Sequence, residues 1–257
     1  MDGLLAKLNE IYAELPPVPC KACGHCCVSP TCTIIEFVGA VRYALANFEK
    51  EKLSAILIQP AVIHPDYEGN LYCCFQSKET KNCMIHPSRT MACRLFGLPV
   101  LSELSINNME NCSKLDVSKI QNPSKEKLNV WLRSLTDLNR EAASFYSEPY
   151  WVSGFNIECW LAVYFDPLLT DGVFGELKSL LRNTLDLSFL EDRFVDKTNL
   201  KDKIDRIALL YMLIDTGSLS EAKELIARIR NDYPLTGTYY LEELDKLESI
   251  IVSQASV

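Results

Sequence analysis

Four cysteines crowd into eight residues as Cys20-Lys-Ala-Cys23-Gly-His-Cys26-Cys27. Such a density of soft thiolates has few uses besides holding metal. Two residues between cysteines let the backbone turn so that both sulfurs meet one ion, and Gly24 supplies the freedom a tight knuckle needs. The doubled cysteine adds a second constraint. Neighbouring Cα atoms lie about 3.8 Å apart with diverging side chains, so Cys26 and Cys27 are poor equivalent ligands of a single ion. One of them is expected to reach a second metal, a second iron of a cluster, or a different site.

The other cysteines follow the same bias. Of the 11, only Cys159 lies beyond Cys112, and the three histidines, His25, His64 and His86, all sit in the front part as well. Metal-competent side chains therefore divide the chain by chemistry. A disulfide framework is the competing use of so many thiols. The start MDGLLAKLNEIYAEL has neither the basic opening nor the long apolar run of a secretory signal, which predicts a reducing, cytoplasmic setting, and an odd count leaves one thiol over.

Composition excludes several classes of function. A net charge of −8 without a Lys/Arg run interleaved with aromatics argues against a nucleic-acid partner. No apolar stretch is long enough to cross a bilayer, which predicts a protein without a membrane partner. The 10 glycines form neither a G-x-G-x-x-G nor a G-x4-G-K-[ST] turn, so a dinucleotide site or P-loop is not expected. No spacing supports a nucleophile paired with a base.

A second cluster stands at Tyr72-Cys73-Cys74-Phe75 and Cys83-Met-Ile-His86-Pro-Ser-Arg89-Thr-Met-Ala-Cys93-Arg94. With the opening quartet, this resembles the zinc- or iron-chelating family named for its C-x2-C-x2-C-C signature, also called YkgJ-type. The resemblance covers roughly the first 115 residues. It implies that Cys74, Cys83, Arg89, Cys93 and Arg94 fall on the family's later motif and that Cys112 follows as a last ligand. Two positions depart from the pattern: Thr90 replaces a usual proline, and His86 stands where tyrosine is frequent. Cys32 and Cys73 are additional, as ligands, substitute ligands or small buried hydrophobes.

The implied set, Cys20, Cys23, Cys26, Cys27, Cys74, Cys83, Cys93 and Cys112, offers eight thiolates, enough for two four-ligand centres. A ferredoxin would place its next cysteine where Pro30 stands, so the remaining ligands must be remote. One or two iron–sulfur clusters, of the 4Fe-4S kind, are the expected cofactor. Tetrahedral zinc on four thiolates is the alternative. Arg89 and Arg94 are candidates to hydrogen-bond the metal-bound sulfurs; the competing use is surface ion pairing. His25 is expected to point outward or to donate a supporting bond, and His64 to belong to a turn.

Behind Pro123 the apolar residues recur at helical spacing. Ser124 can cap a helix carrying Leu128, Trp131, Leu132 and Leu135. Ile204, Ile207, Ala208 and Tyr211 predict another, and Ser218 and Glu221 offer a capping box before Ala222, Leu225, Ile226 and Ile229. The pair resembles one tetratricopeptide-type hairpin near 201–234, although a plain antiparallel helix pair explains it as well. Leu241, Leu244, Leu247 and Ile251 predict a last amphipathic helix. Trp151, Phe155, Trp160, Tyr164 and Phe165 read as packing aromatics. Strand signals are confined to short pieces at Asn70-Leu-Tyr-Cys and Leu98-Pro-Val-Leu.

The expected architecture is mainly α: an irregular, cysteine-rich, metal-stapled N-terminal domain over 1–120, then a helical domain over 121–257. The expected function is a cytoplasmic metal-binding protein whose clusters serve redox, cluster-delivery or cluster-dependent catalytic work. Flagellin lysine N-methylase shares a similar cysteine signature, which implies a second reading, an enzyme that methylates protein lysine. The chain lacks a recognisable methyl-donor loop and the C-x3-C-x2-C of radical enzymes. The third reading is noncatalytic: zinc staples the front while the C-terminal helices engage a protein partner.

Overall fold

The computed structural model describes residues 1–18, 20, 30–57, 73–96, 98, 120–144, 155–165, 172–190, 210, 213–214, 218–232 and 238–254. They are mainly helical and fall into two compact units, Met1–Leu57 with Val62–Ile157, and Ile58–Ala61 with Glu158–Val257.

In the first unit, α1 (Asp2–Glu14), α2 (Ile34–Asn47) and α3 (Lys50–Leu57) precede the second cysteine cluster. α4 (Met91–Leu95) and α5 (Lys125–Ala142) follow it. α2 begins where Thr33 closes a full capping box: its side chain accepts from the Glu36 N–H while the Glu36 carboxylate accepts from the Thr33 N–H. That arrangement satisfies two otherwise orphaned backbone donors and starts an apolar helix in which Ile34, Ile35, Phe37, Val38 and Val41 are buried.

The Leu128-Trp131-Leu135 stripe lies where its spacing predicts, on one face of α5. It is buried there with Leu8, Ile35, Met91, Leu95 and Leu98. α1 runs antiparallel to α5, since Lys7 pairs with Glu141 at 2.7 Å while Glu14, further along α1, accepts from Trp131 Nε1 at 3.1 Å. The core thus joins α1, α2, α4 and α5, and the chemical boundary near residue 120 runs through a unit that packing extends to Ile157.

Ser124 caps α5 as its place in the sequence suggests, accepting from the Lys127 N–H at 3.2 Å. Removing that oxygen leaves a first-turn donor to water alone. Ser124→Ala is expected to cost about 1 kcal/mol of the first unit's stability, measured by urea denaturation.

Strand content is small. β1 (Thr31–Cys32) pairs antiparallel with β2 (Phe155–Asn156), Cys32 opposite Phe155, and Gln76 bridges Cys83. The pieces 70–72 and 99–101, where the sequence hints at strands, lie outside the described residues.

The second unit contains α6 (Ile157–Phe165), α7 (Gly172–Thr184), α8 (Leu219–Asp232) and α9 (Thr238–Gln254). Trp160 and Tyr164 are buried, as packing aromatics should be. The Tyr164 hydroxyl donates to the Leu185 carbonyl and accepts from the Leu187 N–H, both at 3.1 Å, which ties α6 to the end of α7. On α8, Ala222, Leu225, Ile226 and Ile229 are buried, and on α9 Leu244, Leu247 and Ile251. Arg230 on α8 reaches Asp245 and Glu248 on α9. The preceding helix of the tetratricopeptide-like hairpin, with Ile204 and Tyr211, lies outside the described residues. Among the described residues no helix is long and apolar enough to cross a membrane.

Candidate metal centre

Residues 73–96 form a compact cysteine-bearing segment fastened to α2. Its first part is a small hairpin: the Met84 N–H donates to the Phe75 carbonyl and the Ser77 N–H to the Asn82 carbonyl, both at 2.9 Å. Lys81 closes the turn with a φ of 62°, the left-handed region that a side chain seldom adopts. Cys83 therefore stands on one arm, bridged to Gln76 on the other, and Cys74 lies in the turn that leads into the hairpin, with Cys74 buried and Cys83 half-buried.

A short 3-10 turn, His86–Ser88, and α4 complete the segment. Three bonds lock this part in place. Ser88 Oγ donates to the Gly39 carbonyl on α2 at 3.1 Å, and the Met91 N–H donates to Glu36 Oε1 at 2.6 Å. The Ser88 N–H closes the turn onto the Ile85 carbonyl at 2.8 Å.

Glu36 is the centre of this fastening, and its side chain is 3% exposed. Oε1 accepts from the Tyr12 hydroxyl at 2.7 Å as well as from Met91; Oε2 accepts from the Thr33 N–H at 2.9 Å and the Thr33 hydroxyl at 3.1 Å. One carboxylate thus binds α1, the start of α2 and the first turn of α4. Burial, reinforced by the Glu36 charge and hydrogen bond, pushes the Tyr12 phenol well above its ordinary range, so it stays a donor at physiological pH. The sequence reading passed over Glu36 and Tyr12. The signal was present: Thr33-Ile-Ile-Glu36 has the spacing of a capping box ahead of an apolar run.

The two arginines that follow have different surroundings. Arg94 donates from Nε to the Arg89 carbonyl at 2.9 Å and from Nη2 to the Pro87 carbonyl at 2.6 Å, and its guanidinium lies over the Tyr12 ring at 4.1 Å. Two of its five donors are fixed on backbone carbonyls of the 3-10 turn and the residue that follows it. Arg89 bonds His86 Nε2 through Nη1 at 2.7 Å, while its own Nε is buried without a hydrogen-bond partner. Burial, with the charges of Arg89 and Arg94, draws His86 below the ordinary histidine range, so the imidazole is neutral and its Nε2 accepts.

Electrostatics bring the thiols together. Burial pushes the Cys83 thiol up; the Ile85 N–H bond and the Arg89 charge pull it back; Cys20 and Cys74 push it up again. Cys20 and Cys74 thus both act on Cys83, although 63 residues separate Cys20 from Cys83 in sequence. A thiol pushed up in this way keeps its proton at neutral pH, and metal binding would have to displace it. The N–H bond from Ile85, two residues on, favours the sulfur in its negative form.

Cys93 lies on α4 with the Thr90 hydroxyl donating to its sulfur at 3.5 Å. Thr90, replacing the proline of the family pattern, thus gives this sulfur a donor that proline lacks. None of Cys20, Cys32, Cys73, Cys74, Cys83 and Cys93 is in a disulfide. Cys32 is buried on β1 and Cys73 is buried before the hairpin. Cys23, Cys26, Cys27 and Cys112, together with His25 and His64, lie outside the described residues. Among the described residues no three Cys, His, Asp or Glu side chains converge closely enough to hold an ion by themselves.

The donor set fits a thiophilic metal. The thiols that act on one another come from separate stretches of chain, and the neighbouring imidazole is engaged by Arg89. The orphaned Arg89 Nε is a buried donor that requires an acceptor, and metal-bound sulfur is one. Thiols outside any disulfide, carried on a helical scaffold with a buried guanidinium donor in the same segment, have the chemistry of a cysteine-based metal-binding domain. In agreement, residues 19–119 match the CxxCxxCC family, "Putative zinc- or iron-chelating domain", over a stretch holding every cysteine except Cys159. No curated protein and no solved structure matches the chain.

Proposed function

We propose that residues 19–119 hold one or two iron–sulfur clusters on Cys20, Cys23, Cys26, Cys27, Cys74, Cys83, Cys93 and Cys112, in a reducing compartment such as the cytoplasm. What carries this reading is the match of residues 19–119 to a metal-chelating domain, supported by the buried Arg89 Nε that has no hydrogen-bond partner among the described residues. A cysteine-only ligand set, a buried unpartnered guanidinium donor on the same segment, and the adjacent pair Cys26-Cys27 suit an anionic polynuclear centre better than one mononuclear ion. When bound, such a cluster supplies one-electron transfer or a site for cluster delivery. The protein's part is to hold the sulfurs, with Ile85 N–H and Thr90 Oγ1 as hydrogen-bond donors and with the segment tied to α2 through Ser88.

Zinc is the second reading, favoured by the hairpin itself: one cysteine in the turn before it and one on its far arm, the latter accepting an N–H two residues on, also suit half of a four-thiolate zinc site. The two differ in one preparation. Full-length protein purified without oxygen is expected to be brown, with visible sulfur-to-iron absorption and iron matched by acid-labile sulfide. Colourless protein with stoichiometric zinc would replace the cluster reading with the zinc one.

A further inference from the structure

Resting on that reading, we propose that Arg89 is the residue that donates a hydrogen bond to sulfur of the metal centre, through Nε, and that Arg94 is a strut with no contact to the centre. The division follows from how each guanidinium is spent. Arg94 has two donors fixed on the Pro87 and Arg89 carbonyls and its face against Tyr12. Its bonds also fix the backbone on which Arg89 is carried.

Arg89 is held from both sides. Its carbonyl accepts from Arg94, and its Nη1 is anchored on His86 Nε2. That anchoring fixes the guanidinium plane and leaves Nε–H buried with no acceptor among the described residues. A buried, charged N–H left unpaired forfeits its hydration with nothing in return, so an acceptor is required at that point. Sulfur is the acceptor this segment offers: Cys83 stands three residues before His86, on which Arg89 is anchored, and Thr90, next to Arg89, donates to Cys93 Sγ at 3.5 Å. A charge-assisted bond from a planar, pre-set guanidinium to thiolate or sulfide satisfies both sides at once.

The test compares full-length wild type with Arg89→Gln, Arg89→Lys and Arg94→Gln, all purified anaerobically. Metal per chain, melting temperature and the reduction potential of the bound centre are measured for each. Removing a positive donor from a cluster destabilises its reduced form. Arg89→Gln is therefore expected to keep its metal and shift the potential downward, with Arg89→Lys between it and wild type. Arg94→Gln is expected to melt at lower temperature with its potential unchanged.

If wild type carries zinc instead, cobalt(II) replaces it and the readout is the sulfur-to-cobalt charge-transfer band, which moves to lower energy in Arg89→Gln. A metal-loaded Arg89→Gln and Arg89→Lys with wild-type potential or band position would overturn the assignment of Arg89 alone. Equal shifts in Arg89→Gln and Arg94→Gln would overturn the division between the two arginines. Wild type holding neither iron nor zinc would overturn the centre itself.

Discussion

Cys83→Ser is expected to lower the metal content by about half where two four-thiolate centres share the eight sulfurs, and almost completely where there is one. Serine keeps the size and loses the chemistry, because its hydroxyl does not ionise near neutral pH and is a hard oxygen where a soft metal wants sulfur. Cys83 is the sulfur on which the others act. It is half-buried, accepts the Ile85 N–H, and feels Cys20, Cys74 and Arg89. The loss should also be mechanical. Metal binding contributes on the order of 10 kcal/mol to small metal-organised domains, and the hairpin 73–84 has only a few backbone bonds of its own. Limited proteolysis of Cys83→Ser should therefore cut this hairpin earlier than in wild type, and chelator added to wild type should reproduce the pattern. Cys32→Ala is the control, since Cys32 is buried on β1 opposite Phe155. Unchanged metal loading in Cys83→Ser would remove Cys83 from the ligand set.

How much of this was legible in the sequence depends on the range over which each signal acts. The α5 stripe was readable because helical period and an N-cap are local properties; Ser124, Leu128, Trp131 and Leu135 fulfil them within twelve residues. The partner of that stripe was not readable. Nothing in the residues of α5 says that Leu8 of α1 and Leu95 of α4 complete the same core, which is why the cysteine-rich front is more helical and better packed than its composition suggests. The metal centre divides similarly. Cysteine spacing gives chelation within a knuckle, whereas the approach of Cys20 to Cys83 is a property of the folded chain. Arg89 and Arg94 look alike in sequence, five residues apart, and only the spent donors of one and the stranded Nε of the other tell them apart. Thr33-Ile-Ile-Glu36 was legible as a helix start. That its carboxylate also holds Tyr12 and Met91 was not, because Met91 is 55 residues away.

Glu36→Ala is expected to destabilise the first unit by about 4 kcal/mol, more than any surface change and close to the upper range for single substitutions. The deletion strands the Tyr12 hydroxyl, the Met91 N–H and the Thr33 N–H at once, in a place with almost no access to water. Each unsatisfied buried donor costs roughly 1–3 kcal/mol, partly relieved where the site can relax. Glu36→Gln should cost about half as much, because one amide oxygen remains to accept while the amide nitrogen faces donors. Tyr12→Phe removes a single bond and should cost about 1 kcal/mol. The order Ala above Gln above Tyr12→Phe, measured by urea unfolding, separates a hub from a helix cap. A cap alone would cost about 1 kcal/mol in Glu36→Ala and leave the metal untouched. The hub has a further consequence, because Met91 is the first residue of α4 and Cys93 stands two residues on. Releasing the start of α4 should free the sulfur that Thr90 holds, so Glu36→Ala should surrender metal to chelator faster than wild type, and Tyr12→Phe should not. A Glu36→Ala protein whose stability lies within about 1 kcal/mol of wild type would mean that the buried carboxylate does not join the helices to the cysteine segment.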